Sequence, residues 1–130
     1  MENSRRIEGL VDYIADRYSD AAEIGIGHFP DIAYALKHRG VNVFASDIRT
    51  IRFEGIRVII DNITDPDHDV YRGCDLIYAM RPPPELVPYM VMLSRAVSAD
   101  LILKPLSSEY AEGFRMMRNG NTTFFFKGKE

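Results

Sequence analysis

Residues 23–30 read Glu-Ile-Gly-Ile-Gly-His-Phe-Pro, and an acid, Asp47, stands twenty positions beyond Gly27. Ala21-Ala22-Glu23-Ile24-Gly25-Ile26 is short and apolar enough to be a buried strand running into a glycine turn. Pro30 suits the first turn of a following helix, where its missing N–H costs nothing, and Asp31 suits the positive end of that helix dipole. The next strand, Val41-Asn42-Val43-Phe44-Ala45-Ser46, ends at Asp47. Strand, Gly-x-Gly turn, helix and a second strand closed by an acid is the arrangement by which a doubly wound α/β sheet holds an adenosine-bearing ligand.

Working outward, Ile7, Leu10, Val11, Ile14 and Tyr18 fall at helical spacing with charges between them, so an amphipathic helix precedes the glycine turn. Behind the turn, Ile32, Ala33, Ala35 and Leu36 form an inward face, and Gly40 stops that helix with a left-handed cap. Further strands are expected at Ile56–Ile60, ending at Asp61, at Asp75–Met80, and at Leu101–Lys104. The acidic stretch from Thr64 to Tyr71 reads as turns with one helical turn. Leu86, Met90, Leu93 and Val97 mark a helix face in which Pro88 is tolerable only in the first turn. Two runs, Phe114–Arg118 and Thr122–Lys127, flank Asn119-Gly120, the strongest short hairpin signal. The expected fold is therefore a single domain over residues 1–130: α/β, three-layer, doubly wound, with a mostly parallel sheet and a C-terminal antiparallel hairpin at one edge.

Composition narrows the function classes. A chain of 130 residues with 46% apolar and 27% charged content is ordinary globular material. Sixteen basic against nineteen acidic residues give a net charge of -3, which counts against a general nucleic-acid binder. A nucleic-acid methylase would need a local basic stripe beside Arg81, built from Arg49, Arg52 or Arg57. Cys74 is alone, so no intrachain disulfide forms and a reducing, cytoplasmic setting is expected. No apolar run approaches the ~20 residues needed to cross a bilayer, and no membrane role is expected. The composition leaves room for a protein partner or a homo-oligomer.

The candidate site residues each carry two readings. Gly25 and Gly27 let the backbone bend sharply and approach a ligand, or serve only a structural turn. The dinucleotide fingerprint wants a third glycine, and Pro30 holds that place. Asp47 can accept both hydroxyls of a ribose, or cap a turn before Ile48-Arg49. Asp61-Asn62 can pair with an adenine amino group, but suits turn chemistry equally. Glu23, inside an apolar strand, needs a cation, a backbone donor or an exposed mouth, because an unpaired buried carboxylate is expensive. A ligand ammonium or Arg17 would serve. Arg81, before three prolines, can bind an anion at the rim, or the run merely delivers the chain into the next helix. His28 borders the turn. Asp65, Asp67, His68 and Asp69 lie too close along one turn to converge on a metal, so no metal site is expected.

Glu-x-Gly-x-Gly at 23–27, Asp47 and Asp61 resemble the cofactor motifs of class I S-adenosylmethionine-dependent methyltransferases. More closely, residues 23–31, Ile-Thr-Asp-Pro at 63–66 and Tyr-Ala-Met-Arg-Pro-Pro-Pro-Glu-Leu at 78–86 resemble an uncharacterised, UPF-designated family of small archaeal proteins. The resemblance implies a methyltransferase-type Rossmann sheet and S-adenosylmethionine as the cofactor. Glu23, Gly25 and Gly27 would surround its methionine part, Asp47 would hold the ribose, and Asp61 with the Asn62 and Ile63 backbone would meet adenine. Ile26 and Ile48 complete the candidate cofactor set, and Arg81, Pro82 and Pro83 the substrate rim. The third glycine of the methyltransferase loop is here Phe29, whose ring could crowd the cofactor. Amino-methylating members carry Asn/Asp-Pro-Pro-aromatic after the fourth strand, and this chain has Arg81-Pro82-Pro83-Pro84 instead. The expectation is a binder of a small adenosine-containing ligand, with methyl transfer as its enzymatic form. The alternative is a noncatalytic module that senses NAD or another nucleotide, or binds no cofactor and acts through a protein partner.

Overall fold

The computed structural model describes residues 2–105 and 112–129, with side chains from residue 7 onward. Seven strands form one sheet: β1 (Asp20–Ile24), β2 (Asn42–Asp47), β3 (Val58–Ile60), β4 (Leu76–Met80), β5 (Asp100–Lys104), β6 (Arg115–Asn119) and β7 (Thr122–Lys127). Their order across the sheet is β3-β2-β1-β4-β5-β7-β6. The first five are parallel, while β7 runs antiparallel to both β5 and β6. The hairpin thus forms at the edge expected for it, but folds back so that β7, the last strand, is inserted beside β5 and β6 takes the rim.

Side-chain alternation builds the two covered faces. Ala21, Leu76, Tyr78, Ile102 and Phe124 point to one face, where Leu10 and Ile14 of α1 (Glu2–Arg17) and Ile32 and Leu36 of α2 (Asp31–His38) close over them. Their sequence neighbours Ala22, Ile77, Leu101, Leu103 and Phe125 point to the other. There Tyr71 of α3 (His68–Tyr71) and Met90 and Leu93 of α4 (Val87–Ala96) cover them. Helices on both faces make the doubly wound, three-layer arrangement that the sequence pattern requires.

Several boundaries move for local reasons. β1 stops at Ile24 rather than Ile26 because Gly25 turns the backbone to φ 70°. β3 shortens to three residues, since Ile56 bridges back to Phe53 instead of joining β2. Pro30 is the cap residue before α2 rather than part of its first turn, and Gly40, at φ 90°, follows the last turn as expected. Pro88 sits in the first turn of α4, after a short 3-10 turn over Pro84–Leu86.

One tertiary contact has no counterpart in the sequence reading. Gly9 of α1 lies against the β6–β7 turn: its N–H donates to the Thr122 hydroxyl at 3.1 Å, and its carbonyl accepts from the Asn119 side-chain amide at 2.9 Å. A Cβ there would sit 1.9 Å from the Asn119 carbonyl oxygen, so only glycine permits this approach.

Candidate functional site

The strand order reverses between β1 and β4: β2 and β3 lie on one side of β1, and β4 and β5 on the other. Crevices of open α/β sheets form at such a reversal, outside the carboxyl ends of the strands. Here it is a cleft of about 590 Å³ lined from the ends of β1 (Ile24, Gly25), β2 (Ser46 to Arg49), β3 (Asp61 to Thr64) and β4 (Met80 to Pro83), with Leu86 and Met90 behind.

Gly25 and Gly27 have φ of 70° and 54°, a left-handed backbone that side-chain-bearing residues rarely adopt. Folding the turn this way engages the Gly25, Ile26, Gly27 and Phe29 donors inside the protein. The Gly25 and Ile26 N–H groups both reach the Ser46 carbonyl, at 2.8 and 3.3 Å, and the Phe29 N–H reaches the Ile26 carbonyl. The Gly27 N–H donates to Asp47 Oδ2 at 2.9 Å. Ile26 itself is buried with Ala33, Ala45 and Ile56, so its side chain faces the core.

Asp47 ties the glycine turn to the end of β2. Its Oδ1 accepts from the Arg49 N–H at 3.0 Å and from Arg49 Nε at 3.2 Å, completing the grip begun by Gly27. Burial works against the Asp47 charge, but the donors of Arg49 and Gly27 outweigh it and hold the carboxyl below its ordinary value. The capping reading is therefore realised, and the carboxylate still forms part of the cleft wall. The sequence reading placed such a cap before Ile48-Arg49 without naming Arg49 as the partner; its position two residues after the acid was the available signal. Ile48, between them, turns its side chain out at the cleft edge and is 66% exposed.

Asp61 and Asn62 also line the cleft while serving the local chain. Asp61 accepts the Tyr71 hydroxyl proton at 2.6 Å and the Asp67 N–H at 3.3 Å, and Asn62 Oδ1 accepts from the N–H and hydroxyl of Thr64. The turn chemistry is thus formed, and Ile63 contributes an apolar strip beside it. Asp67 caps α3 through the Asp69 N–H, which gives the acidic stretch a structural role.

Glu23 is a correction to the partner assigned it. It is fully buried on the α1/α2 face rather than in the cleft wall, and among the described residues neither Arg17 nor any other cation meets it. Arg17 lies over the Tyr13 ring instead. The Glu23 partner is the Tyr78 hydroxyl, which donates to Oε1 at 2.8 Å, while Oε2 has no hydrogen-bond partner among the described residues. Burial pushes the carboxyl up to about 8, the Tyr78 hydrogen bond opposes this, and nearby Asp31 adds to the rise. A group so placed holds a proton at neutral pH.

Phe29 does not plug the cleft. It packs toward the α1/α2 core, and the Arg81 guanidinium stands over its ring, 5.4 Å from the centroid. Arg81 is one of two described residues other than glycine with positive φ, at 55°, and its N–H is fixed to the Lys104 carbonyl at 2.7 Å. The basic stripe does not assemble. Arg49 shares the cleft with Arg81, but Arg57 precedes β3, at the opposite end of the sheet, over the Phe44 ring, and Arg52 lies in a separate groove with Phe53 and Ile60.

A family model described as "Uncharacterised protein family (UPF0146)" matches residues 7–129. The chain belongs to UPF0146. A UPF0146 protein of Archaeoglobus fulgidus is 41% identical over 123 residues, covering 93% of this chain and 94% of that one. Another, of Methanothermobacter thermautotrophicus, is 36% identical over 108 residues, covering 81% and 79%.

Among solved structures, this UPF0146 chain is similar to a ribosomal protein L11 methylase from Lactobacillus delbrueckii subsp. bulgaricus (TM-score 0.66, 17% identity, 98% of this chain and 78% of that one). It is also similar to an rRNA methylase from Streptococcus thermophilus (TM-score 0.62, 14% identity, 94% of each chain). A third neighbour is the SAM-bound amino pentose methyltransferase CalS10 from Micromonospora echinaspora (TM-score 0.56, 14% identity, 92% and 63%). At these identities the likeness establishes the fold: UPF0146 carries the methyltransferase Rossmann sheet. Among the described residues no helix is long and apolar enough to cross a membrane.

Proposed function

We propose that this chain binds S-adenosylmethionine, or a closely related adenosine ligand, in the cleft at the β1/β4 switch. The observation that carries this reading is the combination of an open cleft with a glycine turn whose N–H groups are either engaged within the protein or lie outside the cleft lining. A dinucleotide lays its pyrophosphate on free N–H groups at a helix N-terminus. Here the Gly25, Ile26, Gly27 and Phe29 N–H groups are engaged within the protein, Pro30 has none, and neither His28 nor the first turn of α2 lines the cleft. An adenosine ligand without a pyrophosphate needs no such cradle. It needs a carboxylate for the ribose and flat apolar surface for the base, which Asp47, exposed Ile48 and Ile63 offer on neighbouring strand ends.

In this reading the second lone pairs of the Asp47 oxygens accept the ribose hydroxyls, and Arg49 can swing aside, since its side chain is largely exposed. Asp61, Asn62 and the Ile63 backbone border the adenine. Gly25 admits the sugar closely because a Cβ there is replaced by open space. Gly27 holds Asp47 in place. When bound, the cofactor supplies an electrophilic methyl group, and the protein's part is to align it with an acceptor and exclude water, which can suffice without a strong base. As an enzyme the chain would be a methyltransferase whose acceptor enters over the Arg81-Pro82-Pro83 rim.

Calorimetric titration with S-adenosylmethionine, its demethylated product S-adenosylhomocysteine, and NAD tests the reading. Saturable heat with the first two and none with NAD is the expected result. Preferential binding of NAD, or no heat and no thermal shift with any of them, would reject it.

A further inference from the structure

We infer that Arg81 is an anion receptor at the mouth of the cleft, built to take a carboxylate or phosphate group of a small ligand. The inference deepens the proposed adenosine site and rests on it only for the identity of the neighbouring ligand.

Three features of Arg81 converge. Its backbone is held at φ 55° by a hydrogen bond to the Lys104 carbonyl, a conformation costly for any residue with a Cβ. Such strain persists where the surrounding structure over-determines it, and it gathers at ligand clamps. The three prolines that follow, Pro82 to Pro84, stiffen the segment, so the side chain leaves a fixed platform.

The second feature is what the guanidinium touches. It lies over the Phe29 ring, 5.4 Å from the centroid, a cation–π contact that uses none of its N–H donors. No carboxylate among the described residues pairs with it, whereas Arg49, the other arginine of the cleft, is committed to Asp47. The planar guanidinium fork can form two parallel hydrogen bonds, which suits carboxylate or phosphate oxygens.

The third feature is location. Arg81 closes β4 beside the strand reversal and lines the same cleft as Asp47, on its opposite wall. A ligand whose base rests near Ile48 directs its other end toward Arg81. The anion taken there is then either the carboxylate of that ligand's own amino-acid tail or an acidic group on a second, acceptor molecule. A group held this way is a handle: two N–H donors on its oxygens lower their nucleophilicity, so a methyl acceptor bound by Arg81 would react at another atom.

The test monitors Arg81 Nε and Phe29 ring resonances by NMR, with Arg81→Ala, Arg81→Lys and Arg49→Ala variants whose fold is checked by circular dichroism. The probes are inorganic phosphate, S-adenosylhomocysteine, and methylthioadenosine, which lacks the carboxylate. If phosphate shifts the Arg81 signal saturably in protein already saturated with S-adenosylhomocysteine, and Arg81→Ala weakens phosphate binding roughly tenfold or more, the anion belongs to a second molecule. If Arg81→Ala weakens S-adenosylhomocysteine by that factor but leaves methylthioadenosine unchanged, the anion is the ligand's own carboxylate. In either case Arg81→Lys should recover part of the loss. Should no adenosine ligand bind while phosphate still shifts Arg81, the adenosine reading fails and the anion site stands. Unchanged affinities for all three probes in Arg81→Ala, or a phosphate response abolished by Arg49→Ala and kept in Arg81→Ala, would overturn the inference.

Discussion

Replacing Glu23 by glutamine should change how stability depends on pH, and by a calculable amount. In the unfolded chain this carboxyl releases its proton near its ordinary value, whereas in the folded protein burial among Tyr78 and the α1/α2 core raises it to about 8. Between those two values the native state carries one proton more than the unfolded state, so stability falls as pH rises. The contribution is fully present below the unfolded pKa and is lost as pH climbs through the folded one. Each unit of difference corresponds to about 1.4 kcal/mol, which sets roughly 3–5 kcal/mol as the loss across the window. That is a large part of the about 5–15 kcal/mol that holds a domain together. Glutamine keeps the shape and can still accept the Tyr78 hydroxyl, but has no charge to bury. Urea denaturation of both proteins at about pH 5 and about pH 9 would measure it. The wild-type protein should lose several kcal/mol more than Glu23→Gln over that interval, and the variant should be the more stable one at the alkaline end. Parallel profiles would show that Glu23 is ionised at neutral pH or meets a donor beyond Tyr78, and the account of its burial would be wrong.

Three further outcomes follow from positions described above. Arg81→Gly and Arg81→Ala both remove the cation–π contact with Phe29, but only glycine relieves the positive φ. The glycine variant should exceed the alanine variant by about 1 kcal/mol, or roughly 3–5 °C in Tm, and an alanine variant of equal stability would refute the strain. Asp47→Ala leaves the Gly27 N–H and Arg49 without their shared acceptor. It should cost roughly 2–3 kcal/mol by thermal denaturation and abolish heat from S-adenosylhomocysteine titration. Because Asp47 is held below its ordinary pKa, wild-type stability from this source is present at neutral pH and lost as pH falls through the folded value; the Asp47→Ala variant should lack that acid limb. Gly9→Ala drives a methyl group into the Asn119 carbonyl, 1.9 Å away. A net loss of about 1–2 kcal/mol is expected despite alanine's better helix propensity, measurable by urea titration.

The fold was readable where one periodicity dominated. β1, β4 and β5 are buried on both faces, so their sequences are short apolar runs between helical patterns. The hairpin declared itself through Asn119-Gly120. What could not be read was the order of its strands in the sheet, because the choice between β6 and β7 as neighbour of β5 depends on which partner pairs at long range. The same limit governed the site. Asp47, Asp61 and Asn62 were located correctly at strand ends, since period and turn residues place them. Their hydrogen-bond partners were harder. Tyr71 reaches Asp61 from a helical turn ten residues on. Tyr78 meets Glu23 because β1 and β4 pair with those two residues in register, information that exists only once the strand order is known. The strained backbone of Arg81 leaves no trace in composition, as arginine is a residue that propensity would never place at positive φ.

The seat that Gly9 provides for the β6–β7 turn links positions 113 residues apart through the Thr122 hydroxyl. The contact between the opening helix and that turn therefore forms only once almost all of the chain exists, and the entropy of drawing such a wide loop shut falls on that step. Until β7 arrives, β5 offers bare amides and carbonyls to any neighbour, which makes the half-made molecule the one most exposed to sticking to its own kind.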